Sequence, residues 1–328
     1  MRSGRRLLVQ GAALPANAGG GRDLPVPGLP DAGARCCGAP EIGTTDGLMS
    51  DPSLAAGLRQ HDRDRYQTAL FAPAERRDAL FALYAFNYEV ARARESVREP
   101  MIGLMRLQWW RDALDEIYAG KPVRRHEVAV PLADAIAAHS LSKAHFTTLL
   151  DARAQDMEEV PPESLAALES YAEATSGSLM QLALEVLGVR DVQAAAAGRS
   201  VGVAYALAGL LAAAPFHAQR RRLYLPAALT AHHGVDLERS LFALKPSPGL
   251  AAATRDIADR ARRHLNEARQ YHAAIPRAAL PALLHAVLAE RRLRRLDAAD
   301  HNFFDPRLAN EDTLQSLRLS WASLRHRY

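Results

Sequence analysis

The chain has 328 residues, of which 48% are hydrophobic and 24% charged, a balance that suits an ordinary globular protein with a sizeable core. Its 41 Lys+Arg against 37 Asp+Glu leave a net charge of +4, too mild to call for nucleic acid, and no nucleic-acid partner is expected. The two cysteines, Cys36 and Cys37, are adjacent and stand in no Cys/His cluster, which excludes a disulfide-stapled secreted fold and makes a reducing compartment the default.

From Met1 to about Asp51, Gly and Pro recur without helical or strand period (Gly19-Gly20-Gly21, Pro25, Pro27, Pro30, Gly38, Pro40). Such a stretch buries too little apolar area to offset its ordering entropy, so residues 1–51 read as a disordered tail or a mis-assigned extension ahead of Met49. The apolar run after Arg5-Arg6 is too short for a signal-peptide core, and a mitochondrial-type targeting segment is the other reading.

From residue 52 to 328 the period is helical, and a single all-α domain is expected. Pro73 followed by Glu75 suits a helix start, and Leu80, Leu83, Tyr84, Asn87 and Val90 continue an i, i+3, i+4 stripe. Further helices are predicted over about Met101–Tyr118, Pro131–His139, Lys143–Met157, Leu165–Leu187, Val192–Ala214, Gly249–Ala274, Pro281–Ala298 and Thr313–Arg325. No alternating run or hairpin turn signals a strand. Ser200 to Gln219 carries no Asp, Glu, Lys or Arg, yet its Ala/Gly-rich run is short for a bilayer span, so a buried central helix is predicted and no transmembrane helix.

Candidates for chemistry are few. Thr175-Ser176-Gly177-Ser178 reads as a close helix-packing point, and His232-His233 lacks further ligands at regular spacing and reads as surface. Asp112, Asp115 and Glu116 share one helix face in the geometry that can hold Mg²⁺, although Arg111 beside them favours local ion pairs. The run Asp62-Arg63-Asp64-Arg65 is expected to tie down the first helix. Arg291, Arg292, Arg294 and Arg295 crowd one amphipathic helix, which predicts either a solvated face or a contact with anionic lipid or an acidic partner.

Taken in order, Arg65-Tyr66, Leu70-Phe71-Ala72-Pro73, Arg76-Arg77, Leu80 to Phe86, Gln108-Trp109-Trp110-Arg111, Tyr171 through Ser178, and Arg222-Leu223-Tyr224-Leu225-Pro226 resemble the squalene/phytoene synthase family. The resemblance implies an isoprenoid-synthase-type helical bundle with a central cavity, where active members join two prenyl diphosphates over Mg²⁺ held by two aspartate-rich motifs. Ionising an allylic diphosphate in an apolar cavity leaves a large negative charge, and the metal offsets it. The first motif maps onto Ala91, Arg92 and Glu95, the second onto Ala213, Phe216 and His217. Only Glu95 is acidic, so no metal, no cofactor and no catalytic residue are expected.

The stretches Phe86-Asn87, Arg94 to Val97, Ile102 to Arg106 and Pro215-Phe216-His217 are similar to a divergent branch of that family. This is the branch of assembly factor 6 of mitochondrial complex I (NADH:ubiquinone oxidoreductase) and its bacterial relatives. The branch implies a scaffold without established prenyl transfer, with complex I subunits or assembly factors as partners, in the cytoplasm or peripheral on an inner membrane (the matrix side in a mitochondrion). A lipid or isoprenoid ligand is implied for the cavity, with Tyr84, Tyr88, Trp109, Tyr171, Ser178, Tyr205, Arg222 and Tyr224 as lining. Two alternatives stay open: a prenyltransferase whose Mg²⁺ is held by Glu95, Asp112, Asp115 and Glu116, and a pathway protein that only chaperones an isoprenoid substrate.

Overall fold

In the computed structural model the described residues are 52–328 apart from 98, 159 and 311. The expectations for residues 1–51, including the Cys36-Cys37 pair, lie outside them. Two short helices, α1 (Pro52–His61) and α2 (Arg63–Ala69), lead into α3 (Ala74–Ala91) and α4 (Pro100–Tyr118). Then come α5 (Ala129–His139), α6 (Lys143–Ala154), α7 (Leu165–Ala172), α8 (Ser178–Val186) and the long α9 (Val192–Gln219). The last five are α10 (Ala227–His232), α11 (Pro248–Gln270), α12 (Leu280–Leu283), α13 (His285–Asp297) and α14 (Gln315–Leu324). There is no strand among the described residues.

Local chemistry explains most boundaries. Pro73 stands at the N-cap of α3 with Glu75 in the first turn, where a missing N–H goes unnoticed and a carboxylate meets the positive end of the helix dipole. The stripe Leu80, Leu83, Tyr84, Asn87 and Val90 is buried throughout. Pro100 opens α4 at its first position, and Asp191 caps α9 by accepting from the Gln193 and Ala194 amides at 2.9 Å.

Helix α9 is the axis of the bundle, packed by α8, α11 and α13. Among the described residues it is the one helix long and apolar enough to cross a membrane, and most of its apolar stretch is covered by its neighbours. It runs five residues beyond the expected end at Ala214, through Pro215. The proline removes one backbone donor, but Ala214 before it and His217 and Ala218 on the following turn are buried and hold it helical. Helix α11 packs on α9, and its Leu250, Ala253, Ile257, Ala261, Leu265 and Ala268 form a buried stripe at helical spacing.

Two further boundaries differ from the sequence reading. The expected helix 165–187 is interrupted by a π turn at Glu173–Gly177. The expected helix 281–298 breaks at Leu284, where the Nδ1 of buried His285 lies 2.8 Å from the Ala282 carbonyl oxygen.

At the π turn α9 approaches closely, backbone against backbone. A Cβ on Gly202 would stand 2.8 Å from the Gly177 Cα and from the Ser176 carbonyl oxygen. Both neighbours are backbone and have nowhere to go, so this contact accounts for the Thr175–Ser178 packing point. Gly202→Ala is expected to lower stability by about 1–3 kcal/mol through overpacking. Chemical denaturation checks it, and an unchanged midpoint would contradict so tight an approach.

Candidate functional site

The ends of α3, α6 and α9 converge on a cavity of about 780 Å³ that opens to solvent. Arg94, Glu95 and Val97 enter it from beyond α3, Gln155, Asp156 and Glu158 from beyond α6, Tyr171 from α7, and Arg220 to Tyr224 from beyond α9. Helical bundle ends of this kind bring together residues distant in sequence because each helix presents its terminal turn to the same face.

Asp156 is the hub of the cavity wall, with its side chain only 7% exposed. Its Oδ1 accepts the Tyr171 hydroxyl at 2.7 Å and the Tyr224 hydroxyl at 3.2 Å, and its Oδ2 lies 3.3 Å from Arg153 Nη1. Arg153 also donates to the Tyr171 oxygen at 2.7 Å. Burial pushes the Tyr171 phenol well above its ordinary value, the Arg153 charge opposing, so the hydroxyl stays protonated and donates. Arg153 is itself held cationic: burial opposes its charge, but Tyr171 and Asp156 outweigh it.

His217, expected at an acidic position of the second motif, lies on the last turn of α9. Its ring is 4.6 Å from that of Tyr224, and its Nδ1 is buried without a hydrogen-bond partner. Burial, followed by the neighbouring Arg222 charge, lowers its pKa to about 4, so at neutral pH the imidazole is uncharged. Beneath the mouth, His217, Tyr224, Leu168, Leu211, Leu225 and Ile257 enclose an apolar crevice of only about 20 Å³.

The guanidinium groups dominate what remains. Arg222 Nη2 donates to the Arg94 carbonyl oxygen at 3.4 Å, closing one side of the mouth. Arg220 lies 3.6 Å over the Phe216 ring, and Arg221 pairs with Glu238. Against Arg94, Arg153, Arg220, Arg221 and Arg222 the mouth sets Glu95, Asp156, Glu158 and Glu163. Asp156 is already committed to Arg153 and two tyrosines. Among the described residues no three of His, Cys, Asp and Glu come together as a ligand set. The residues present therefore do not fit an Mg²⁺ cluster, which needs several carboxylate oxygens around one point.

Not every residue expected at this site is there. Glu95, Tyr171, Arg222 and Tyr224 line the mouth, and His217 lies just below it. Arg92 instead packs over Tyr88, whose other neighbour is the stacked ring of His61. Trp109 meets Trp110, His126 and Arg124 on α4 and the loop beyond it. Ser178 is buried at the first position of α8. Ala91 and Ala213 are half-buried on α3 and α9, and Phe216 lines a separate groove between α9 and α13. Asp112 and Glu116 turn to Arg124, and Asp115 to Lys143, so they form local ion pairs on the α4 surface.

Tyr84 and Tyr205 belong to a different cluster, around Arg65 and His285. Asp64 there accepts from Arg292, from Gln315 Nε2 at 2.7 Å and from the Tyr205 hydroxyl at 3.1 Å. Burial alone would raise the Asp64 pKa, but Arg292 and these donors hold it below the usual carboxylate value. Arg65 pairs with Asp62 at 2.6 Å and lies 5.2 Å from the Tyr205 ring centre. Asp64 thus does more than secure the first helix: it ties α2 to α9, α13 and α14.

The expected basic stripe is corrected in the same way. Arg292 turns inward to Asp64, Arg291 meets Asp312, Arg294 meets Glu290, and Arg295 donates to the carbonyls of Arg307 and Asn310. Arg291, Arg292 and Arg295 fasten α13 to neighbouring segments, while Arg294 pairs within α13, so the four do not form one free cationic face. Arg153, Asp156 and Arg220 were absent from the expected site. The available signal was an Arg/Asp pair at i, i+3 in a final helical turn, fifteen residues ahead of Tyr171.

The chain belongs to the squalene/phytoene synthase family, whose profile matches residues 58–320. Within it, the chain is 37% identical over 271 residues to NADH dehydrogenase (ubiquinone) complex I, assembly factor 6 of Bos taurus, spanning 83% of this chain and 81% of that protein. The homologous assembly factor of Drosophila melanogaster is 34% identical over 280 residues, with 83% and 82% covered. Among solved structures, a dehydrosqualene synthase in complex with ligand superposes with a TM-score of 0.73 at 19% identity, over 84% of this chain and 95% of that one. At that identity the likeness speaks for the fold.

Proposed function

We propose that this chain acts in the assembly of respiratory complex I as a non-catalytic member of its family. In this reading it works beside an inner-membrane surface, and its mouth takes the anionic headgroup of a lipid or isoprenoid without metal. The observation that carries the proposal is the exchange of charge at the mouth. Arg94, Arg220, Arg221 and Arg222 stand around the cavity, and five of the six metal-holding positions that the family resemblance marks carry no acid. Arginine reads phosphate oxygens directly, through a planar fork of fixed donors, and needs no bridging cation. The long similarity to complex I assembly factor 6 supports the assembly role.

The alternative of a prenyltransferase with a rebuilt Mg²⁺ site would need Asp112, Asp115 and Glu116 to join Glu95. Their engagement with Arg124 and Lys143 speaks against it. Deleting the gene tests the assembly reading. Assembled complex I is expected to fall, measured on native gels, while carotenoid and hopanoid levels stay normal. A fall in either isoprenoid product with complex I intact would overturn it.

A further inference from the structure

Helix α14 presents an outward stripe that the bundle does not use. Its inner face is anchored by fully buried Leu319. On the opposite side Leu314 is 49% exposed, Leu317 67%, Trp321 56% and Leu324 77%, at spacings of three, four and three residues, so all four share one face. A ten-residue helix with an apolar face on both sides is unusual in a protein that needs only one of them for its core.

Charge identifies what would cover the outer face. Arg318 and Arg325 are interleaved with the stripe, and the Arg325 guanidinium lies 4.2 Å from the centre of the Trp321 ring. Beside them a cavity of about 760 Å³ is lined by Arg269, Arg291, Arg294, Arg318, Arg325 and Arg327. Glu290 and Asp312 are the side-chain carboxylates paired within this group of arginines. The chain as a whole carries only +4, so this is a local concentration of positive charge. Leu and Trp side chains flanked by arginines whose long stems reach past them match a bilayer surface, with apolar groups at the acyl boundary and cations among the phosphates.

We infer that α14 and its arginine rim form a docking surface for an anionic phospholipid bilayer, with Leu317, Trp321 and Leu324 inserting and Arg318, Arg325 and Arg327 meeting headgroup phosphates. This rests on the reading of the chain as working beside a membrane, and moves the contact from the α13 arginines to α14. The deletion phenotype above and binding to vesicles can fail independently.

The test is flotation of the purified full chain with vesicles of phosphatidylcholine alone and of phosphatidylcholine mixed with phosphatidylglycerol. Binding at least about tenfold stronger to the anionic vesicles is expected, since each arginine near such a surface contributes about 1 kcal/mol. Leu317→Glu and Trp321→Glu, both at exposed positions, are expected to weaken binding about tenfold or more. Met101→Glu, at an exposed apolar position on α4, is expected to leave it unchanged. Arg318→Glu combined with Arg325→Glu should abolish the preference for anionic vesicles. No binding to anionic vesicles, wild-type binding by the α14 variants, or a dimer in sedimentation that Leu317→Glu dissolves would each overturn the inference.

Discussion

Asp64→Ala is expected to destabilise the protein by about 3 kcal/mol, because it strands Arg292 in a partly buried site and removes the acceptor that Gln315 and Tyr205 share. Breaking such a pair from one side is more harmful than removing it, since an uncompensated charge is left behind. The double variant Asp64→Leu with Arg292→Leu should therefore be more stable than Asp64→Ala alone. Urea denaturation of the two variants decides. Equal stability of Asp64→Ala and wild type would mean that the link from α2 to α13 carries no weight.

Asp156→Ala is expected to be as severe, at about 3 kcal/mol, for a related reason. It leaves Arg153 without its carboxylate and two tyrosine hydroxyls without their acceptor, in a wall that is nearly closed to water. Asp156→Asn retains an oxygen to receive Tyr171 and Tyr224 but loses the charge opposite Arg153, so a smaller loss is expected. Thermal melts of the two variants give the order. If Asn proved worse than Ala, the hydroxyl bonds would not be what organises the mouth.

The helical architecture could be read from the sequence because its signals are local. The α3 stripe, Pro73 and Pro100 at helix starts, and the uncharged run of α9 each lie within one element and depend on period or backbone chemistry alone. A smaller part of the mouth lies on stretches with a signal in the sequence: Glu95, Tyr171, Arg222 and Tyr224 are four of the seventeen residues that line it.

What could not be read depends on long-range pairing. Nothing in Asp62-Arg63-Asp64-Arg65 reveals that Asp64 will meet Arg292, 228 positions away. Nor does the Arg291–Arg295 stripe show which guanidiniums will find carboxylates and which carbonyls. Amphipathic period marks a face as polar without saying whether that face meets solvent, lipid or another helix. The π turn is not legible for a related reason: it stands against Gly202 of another helix, a contact that the residues from Glu173 to Gly177 do not reveal.

The proposed loss of chemistry and the proposed metal-free mouth are one claim. An enzyme of this architecture must neutralise departing diphosphate with Mg²⁺, and the carboxylates at the mouth, Glu95, Asp156, Glu158 and Glu163, stand among arginines and do not gather as a ligand set. Diphosphate release from farnesyl diphosphate by the purified chain, with Mg²⁺ and NADPH present, tests this claim most directly. The rate is expected to match that of protein-free buffer. Turnover that disappears on chelation of Mg²⁺ or on Glu95→Ala would contradict it.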